Sequence, residues 1–297
     1  IIEPRRKNRR GWGSIGAMKD NTGTDVIVHA GKIIVAMSQC SEPYRLDPMT
    51  LETLGPDQNW AHVLGDRGIC SHFKVDEHTG HMMFFNFSEK APYMHYGVVD
   101  ADNNLVHYVP IDIPGPRWPH DLGMTRNYSI LHDLPMFFDP ESLARGGHRL
   151  RFWRDMPSRF GVIPRFGDNS QVRWFEAEPC YILHLSNSYE EGDEVVMEGC
   201  IMTNPVPEMD NLPKEGYERL CKMLDLHTTE TRMHRWFFNL KTGQTREERL
   251  DDEITEFPMV NGLHGGRKHR YSYNAIPKQG EWLLEGLKRF DFQTGRT

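Results

Sequence analysis

The 297-residue chain is 38% hydrophobic and 26% charged, with a net charge of −7. That balance excludes a disordered chain, and the mean hydropathy of −0.62, with no apolar run longer than a strand, excludes a helical membrane span. An acidic chain with scattered basic residues is also a poor nucleic-acid binder, so no nucleic-acid partner is expected.

The basic cluster Arg5-Arg6-Lys7-Asn8-Arg9-Arg10 reads as a solvated terminal segment. Beyond it, short β-rich runs follow one another: Asp25–His29, Lys32–Met37, Met82–Phe87, Tyr96–Val99, Leu105–Val109, Ser129–Leu131, Val172–Phe175, Tyr181–Leu185 and Glu194–Met202. One turn chemistry recurs between them, in Leu46-Asp47-Pro48-Met49-Thr50-Leu51, Val75-Asp76-Glu77-His78-Thr79-Gly80, Asn239-Leu240-Lys241-Thr242-Gly243 and Phe290-Asp291-Phe292-Gln293-Thr294-Gly295. Asp and Asn supply local hydrogen bonds there and Gly supplies positive φ. Strand, D-x-x-T-G turn and strand, repeated at irregular intervals, suggest antiparallel blades of a β-propeller, with a β-sandwich or several small β domains as the alternative. Helical signals are few. Pro140–Gly146 reads as a short helix ending at glycine, and 211–223 holds a second candidate.

Cys40, Cys70, Cys180, Cys200 and Cys221 are odd in number and form no C-x-x-C. Buried thiols in a reducing, cytoplasmic setting fit better than disulfides. The first residue is not Met and the pattern is already under way, so the chain is expected to lack its true start.

Three of the fifteen histidines stand out by context: His72 in Cys70-Ser71-His72-Phe73-Lys74, His120 in Trp118-Pro119-His120-Asp121, and His184 in Tyr181-Ile182-Leu183-His184-Leu185-Ser186. Local metal motifs place their histidines three or four residues apart. Ligands 48 and 64 residues apart (120 − 72 and 184 − 120) need separate blades that converge on one axis. Imidazole by itself suits Fe, Zn, Cu or Ni.

Seven segments in the same order resemble the carotenoid cleavage oxygenase family. They are Ser71-His72-Phe73-Lys74-Val75-Asp76, Pro119-His120-Asp121, Ile130-Leu131-His132-Asp133-Leu134-Pro135, Arg159-Phe160-Gly161-Val162-Ile163-Pro164-Arg165, Trp174-Phe175-Glu176, His184 with Asn187-Ser188-Tyr189-Glu190-Glu191, and Glu256-Phe257-Pro258 before His269-Arg270-Tyr271-Ser272-Tyr273. The family includes carotenoid, apocarotenoid and lignostilbene dioxygenases and the retinal pigment epithelium isomerase. The resemblance implies an all-β, seven-bladed propeller with a cap of helices and loops. Residues 1–297 would form one domain, a central part of that propeller cut at both ends.

The resemblance further implies a non-haem Fe(II) centre of four histidines, with His72, His120 and His184 as the first three. The fourth is expected beyond Thr297, so this chain by itself is expected to be inactive. His264-Gly265 imitates the missing segment but follows Glu256-Phe257-Pro258 too closely. Glu256 matches a glutamate that supports a ligand ring. A second such acid is expected nine residues before Pro48, where Gln39 stands and Glu42 is close but out of register. Glutamine still offers an amide oxygen, without the charge. His132 and Asp121 read as structural, and Trp118, Phe137, Phe138, Trp153 and Phe175 each as core before tunnel lining.

The implied reaction is cleavage of a C=C bond by dioxygen to two carbonyl products, with no separate acid or base. The partners are then O2 and an apolar conjugated alkene, with room for a peripheral lipid contact. Phenol-gripping members use a lysine whose neighbourhood here, Met37-Ser38-Gln39-Cys40, has none. A carotenoid or apocarotenoid is therefore the expected substrate, with a stilbene as the alternative. A non-catalytic binding propeller is the alternative of a different class.

Overall fold

The computed structural model describes residues 23–36, 40–147, 149–206, 218 and 225–297. The chain divides into two compact units, Ile1–Leu122 with Ile163–Val172, and Gly123–Val162 with Arg173–Thr297.

In the first unit, β1 (Asp25–His29), β2 (Lys32–Ala36), β3 (Tyr44–Leu46) and β4 (Thr53–Pro56) form an antiparallel meander in chain order, and β5 (Lys74–Val75), β6 (Met82–Phe87), β7 (Met94–Val99) and β8 (Leu105–Ile111) form a second. The turns explain why neighbours in sequence become neighbours in the sheet. Asp47 Oδ1 accepts from the N–H groups of Met49 and Thr50 at 2.9 Å. Asp76 Oδ1 does the same for His78 at 3.1 Å, and Asp100 Oδ1 for Asp102 and Asn104. Each local bond replaces water on a turn amide and fixes the hairpin register. The Met- and Phe-rich β6 is buried on both faces. Its Phe84 stacks on Trp60 with ring centres 5.4 Å apart, inside a core that also holds Ile34, Ile69, Phe73 and Val99. Ile163–Val172 belongs to this unit through buried polar contacts. The Arg165 guanidinium lies 2.9 Å from Asp76, the Tyr96 hydroxyl donates to the Arg165 carbonyl, and His107 Nε2 lies 2.8 Å from the Gly167 carbonyl.

In the second unit, β9 (Gly123–Met124) and β10 (Tyr128–Asp133) are followed by an excursion made of β11 (Met136–Phe138), α1 (Pro140–Ala144) and β12 (Leu150–Phe152). The chain then returns through β13 (Ser158–Pro164) and β14 (Arg173–Ala177), completing the sheet β9-β10-β13-β14. The expected short helix is α1, capped by Asp139, whose Oδ1 accepts from the Ser142 N–H. Residues 211–223 lie outside the described residues apart from Glu218. β15 (Tyr181–Glu191), β16 (Glu194–Met202), β17 (Thr231–Asn239) and β18 (Thr245–Ile254) form a third meander, and β19 (Glu256–Met259), β20 (Tyr271–Pro277) and β21 (Leu284–Asp291) a three-stranded one. Phe160, Phe175, Trp236 and Phe238 meet at 5.3–5.6 Å between ring centres in the core of this unit. Burying each such side chain is worth roughly 2–3 kcal/mol. β18 carries the charged sequence Thr-Arg-Glu-Glu-Arg-Leu-Asp-Asp-Glu-Ile at the edge of its sheet, which suppresses pairing with other chains.

The described residues are thus all-β meanders with little helix. β15 runs six residues past its expected end at Leu185. Past that end Ser186, Asn187 and Ser188 are buried, and the side chains of Ser186 and Asn187 are bonded. Ser186 Oγ meets Ser272 Oγ at 2.8 Å, and Asn187 Nδ2 donates to the carbonyls of His264 and Arg267.

Candidate metal centre

His72 and His120 lie in the first unit. His72 stands just before β5, where its backbone bridges to Asp121, next to His120. The Cys70 thiol adds a bond to the His120 carbonyl at 3.3 Å. Asp121 is a structural residue here. Its Oδ1 accepts from the Leu122 N–H and pairs with Lys74 at 2.7 Å. With both backbones fixed, the rings face each other, and His72 Nε2 lies 3.0 Å from His120 Nε2. His72 Nδ1, on the far side of its ring, lies 2.9 Å from Asp25 Oδ2. Burial pushes the Asp25 carboxyl up, but the hydrogen bond and charge of His72 outweigh it and hold Asp25 below its ordinary value. An ionised carboxylate only accepts, so Nδ1 is the protonated nitrogen of His72 in this contact, and Nε2 is the atom that a neutral ring could offer to a metal.

His184 and Glu256 lie in the second unit. The pairing of β15 with β16 slips between Ile182 and Leu185 and again between Leu185 and Asn187. His184 sits in this bulge, a device that re-aims a side chain out of strict alternation. Gly199 on the facing strand makes it feasible, since a Cβ there would come within 2.9 Å of the His184 carbonyl oxygen. Glu256 is fully buried at the start of β19, and its Oε2 lies 2.7 Å from His184 Nδ1. The same oxygen accepts from the Phe257 N–H. The Phe257 ring then stacks on His184 with centres 5.0 Å apart, its backbone held at φ 51°, a costly conformation for a large residue. Glu256 therefore gives His184 the same tautomer that Asp25 gives His72.

The donor set fits a metal. Two nitrogens on cis positions of an ion, at bonds of about 2.1 Å and angles of about 90°, stand about 3 Å apart. The His72–His120 separation has that value, which is also the length of an N–H···N hydrogen bond between the two rings. Gln39 lies outside the described residues. His132 is buried in β10 with its ring edge-on to Phe160, and His264 occupies a short 3₁₀ turn. Phe175 is core, and Phe137 stacks on Trp153.

Sequence reasoning missed Asp25. It stands 47 residues before His72 at the first position of β1, in no motif that ties it to a histidine. An acid opening a strand close to a metal-histidine segment is a signal only once the sheet is known.

The sequence model of the retinal pigment epithelial membrane protein family matches residues 3–297. The chain belongs to that family, the family of the carotenoid cleavage oxygenases. Among curated relatives of this oxygenase-family chain, a carotenoid 9,10(9',10')-cleavage dioxygenase of Crocus sativus is 36% identical over 277 residues, covering 90% of this chain and 48% of the relative. An isoeugenol monooxygenase of Pseudomonas putida is 30% identical over 262 residues, covering 85% of this chain and 52% of the relative. The chain thus spans about half the length of these relatives. Among solved structures, the lignostilbene dioxygenase of Pseudomonas brassicacearum superposes with a TM-score of 0.78 at 22% identity, over 95% of this chain and 60% of that one. That likeness shows the fold. No helix among the described residues is long and apolar enough to cross a membrane.

Proposed function

We propose that the protein is a non-haem Fe(II) dioxygenase that cleaves a C=C bond of a carotenoid or apocarotenoid to two carbonyl products, with His72, His120 and His184 as ligands of one iron. The observation that carries the reading is the 3.0 Å approach of His72 Nε2 to His120 Nε2 with the outer nitrogen of His72 already engaged. Two imidazoles so placed, in a family of oxygenases, are arranged as neighbouring ligands. His184, locked by Glu256 into the same tautomer, supplies the third nitrogen. Inner strands of a seven-bladed propeller end around one axis, which lets ligands far apart in sequence serve one ion.

Bound iron supplies dioxygen chemistry at a neutral ligand set. The chain's own contribution is orientation. Glu256 holds the Nδ1 proton of His184 and keeps Nε2 unprotonated. Phe257 covers one face of that ring and limits its rotation. Gln39 is assigned the corresponding role at another ring, through its amide oxygen. An alkene offers little to hydrogen-bond, so apolar surface and positioning bring its double bond to the metal. The Crocus sativus relative's name favours a carotenoid.

The test is product analysis on the whole protein, with Fe(II) and O2, against a carotenoid, an apocarotenoid and a hydroxystilbene. Aldehyde products from the first two support the reading. Cleavage of the stilbene alone moves the substrate to the phenolic class. No cleavage and no bound iron leaves a binding propeller. His120→Ala should abolish both iron retention and turnover in an active preparation, since a methyl group cannot ligate.

A further inference from the structure

A carboxylate bonded to the outer nitrogen of His72 sits outside every segment that resembles the family's site. It is Asp25, at the head of β1. Its backbone is tied to the sheet, paired in register with Ala36 of β2. Both of its oxygens are engaged: Oδ1 accepts from the Val26 N–H at 2.7 Å, and Oδ2 lies 2.9 Å from His72 Nδ1. A carboxylate held at both oxygens has little rotational freedom, so it constrains the ring it touches. That ring is buried to 9% side-chain exposure, while Asp25 keeps 33%. His72 Nε2, opposite the bond, points at His120 Nε2.

We propose that Asp25 is a positioning residue for the metal centre, orienting His72 and fixing its Nδ1–H tautomer so that Nε2 is offered to the ion, as Glu256 does for His184. This rests on the reading of His72 as a ligand. The competing account is a half-exposed ion pair of no consequence, a kind of contact worth about 0–1 kcal/mol. The two differ in what they do to a metal. Carboxylates that orient a ligand imidazole change metal affinity by about 10–100-fold when removed, whereas an incidental pair leaves it unchanged.

The experiment is equilibrium binding of Co(II), monitored by its visible absorption, and of Fe(II) by competition with a chelator. It compares the unaltered chain, Asp25→Ala, Asp25→Asn, His120→Ala and, as a distant acid control, Asp139→Ala. Melting of the metal-free proteins by circular dichroism reports folding separately. The expected order of affinity is unaltered, then Asn, then Ala, with about 10–100-fold between the first and last. Asn falls between because its single amide oxygen serves either His72 or Val26 but not both. The Co(II) spectrum of Asp25→Ala should change in shape, which a loss of folded protein would not produce. Unchanged affinity in Asp25→Ala, or an Asn variant no better than Ala, overturns the proposal while metal binding itself stands. Absence of metal binding by the unaltered chain, or full binding by His120→Ala, overturns the reading beneath it.

Discussion

Two of the histidine–carboxylate pairs in the second unit are built for opposite ends. In one, His184 Nδ1 meets Glu256 at 2.7 Å and the ring keeps 18% side-chain exposure. In the other, His269 Nε2 lies 3.2 Å from Glu198 and the ring keeps 1%. The Nδ1 of His269 lies 3.0 Å from the Asn187 amide, and its Nε2 is buried against Glu198 without a hydrogen bond. Glu198 is shared with the Arg235 guanidinium and the Tyr189 hydroxyl. Burial pushes Glu198 up to about 7 despite Arg235, and burial with Arg235 pushes His269 down to about 4. A carboxylate beside an imidazole therefore does not mark a ligand. The mark is a carboxylate on one nitrogen and a route to the other, as at His184. Where both nitrogens are enclosed in the core, as at His269, the ring acts as polar packing.

Replacing the two histidines tests that distinction most sharply. His184→Ala should cut Co(II) or Fe(II) affinity by more than about 100-fold, above the range found for losing an orienting neighbour, with little change in the melting of the metal-free protein. His269→Ala should do the reverse. It opens a buried space and removes the Nδ1 contact with Asn187, costing about 1–3 kcal/mol of stability, and it should leave metal affinity unchanged. Loss of metal in both variants would erase the contrast.

The carboxylates give the next largest effect, in two different currencies. Glu256→Gln keeps an acceptor for His184 and loses the charge, so metal affinity should fall by about 10-fold or more. Glu198→Gln should leave metal affinity alone and change how stability depends on pH. The folded protein holds the Glu198 proton more tightly than the unfolded chain, whose carboxyl titrates near 4.5. The stability from this group is therefore full below about 4.5 and is lost as pH rises through about 7. His269, lowered in the folded state, works the other way and costs stability as pH falls below 6.5. The difference between unaltered protein and Glu198→Gln in thermal melts from pH 4.5 to 8 isolates the glutamate. It should amount to on the order of 1–3 kcal/mol across that range, and equal slopes in the two proteins would remove the assignment.

These results separate what the sequence makes legible from what it hides. The Asp and Asn turns at Asp47, Asp76, Asp100, Asn239 and Asp291 are local, so the strands around them can be read from spacing alone. Glu256 is visible because a short motif carries it. Asp25 and Glu198 are not, for the same reason: each meets its histidine from a separate sheet, 47 residues from His72 and 71 from His269 (269 − 198). Their partners are chosen by how separate sheets pack, which short-range chemistry does not encode. The polar run Ser186-Asn187-Ser188 lies past the strand end expected at Leu185, and the β19–β20 connection and β20 supply partners that let it continue as a buried strand.

The smallest expected effect is at the rim of the buried pair. The Tyr189 hydroxyl reaches Glu198 Oε1 at 3.4 Å, a long contact, and the Tyr189 ring meets His269 edge-on at 6.1 Å between centres. Tyr189→Phe keeps the ring and loses only the long bond, so stability should fall by no more than about 0.5–1 kcal/mol. The hydroxyl also helps hold the Glu198 proton affinity down. Its removal should raise that affinity and move the loss of stability to slightly higher pH, in the opposite sense to Glu198→Gln. Metal affinity should be unchanged, because His184 is held by Glu256 and Phe257, which are not members of this cluster. A Tyr189→Phe protein as destabilised as Glu198→Gln would mean that the hydroxyl, rather than Arg235, is the main partner of the buried carboxyl. Altered metal binding in the same variant would join the two pairs into one network and end the distinction between them.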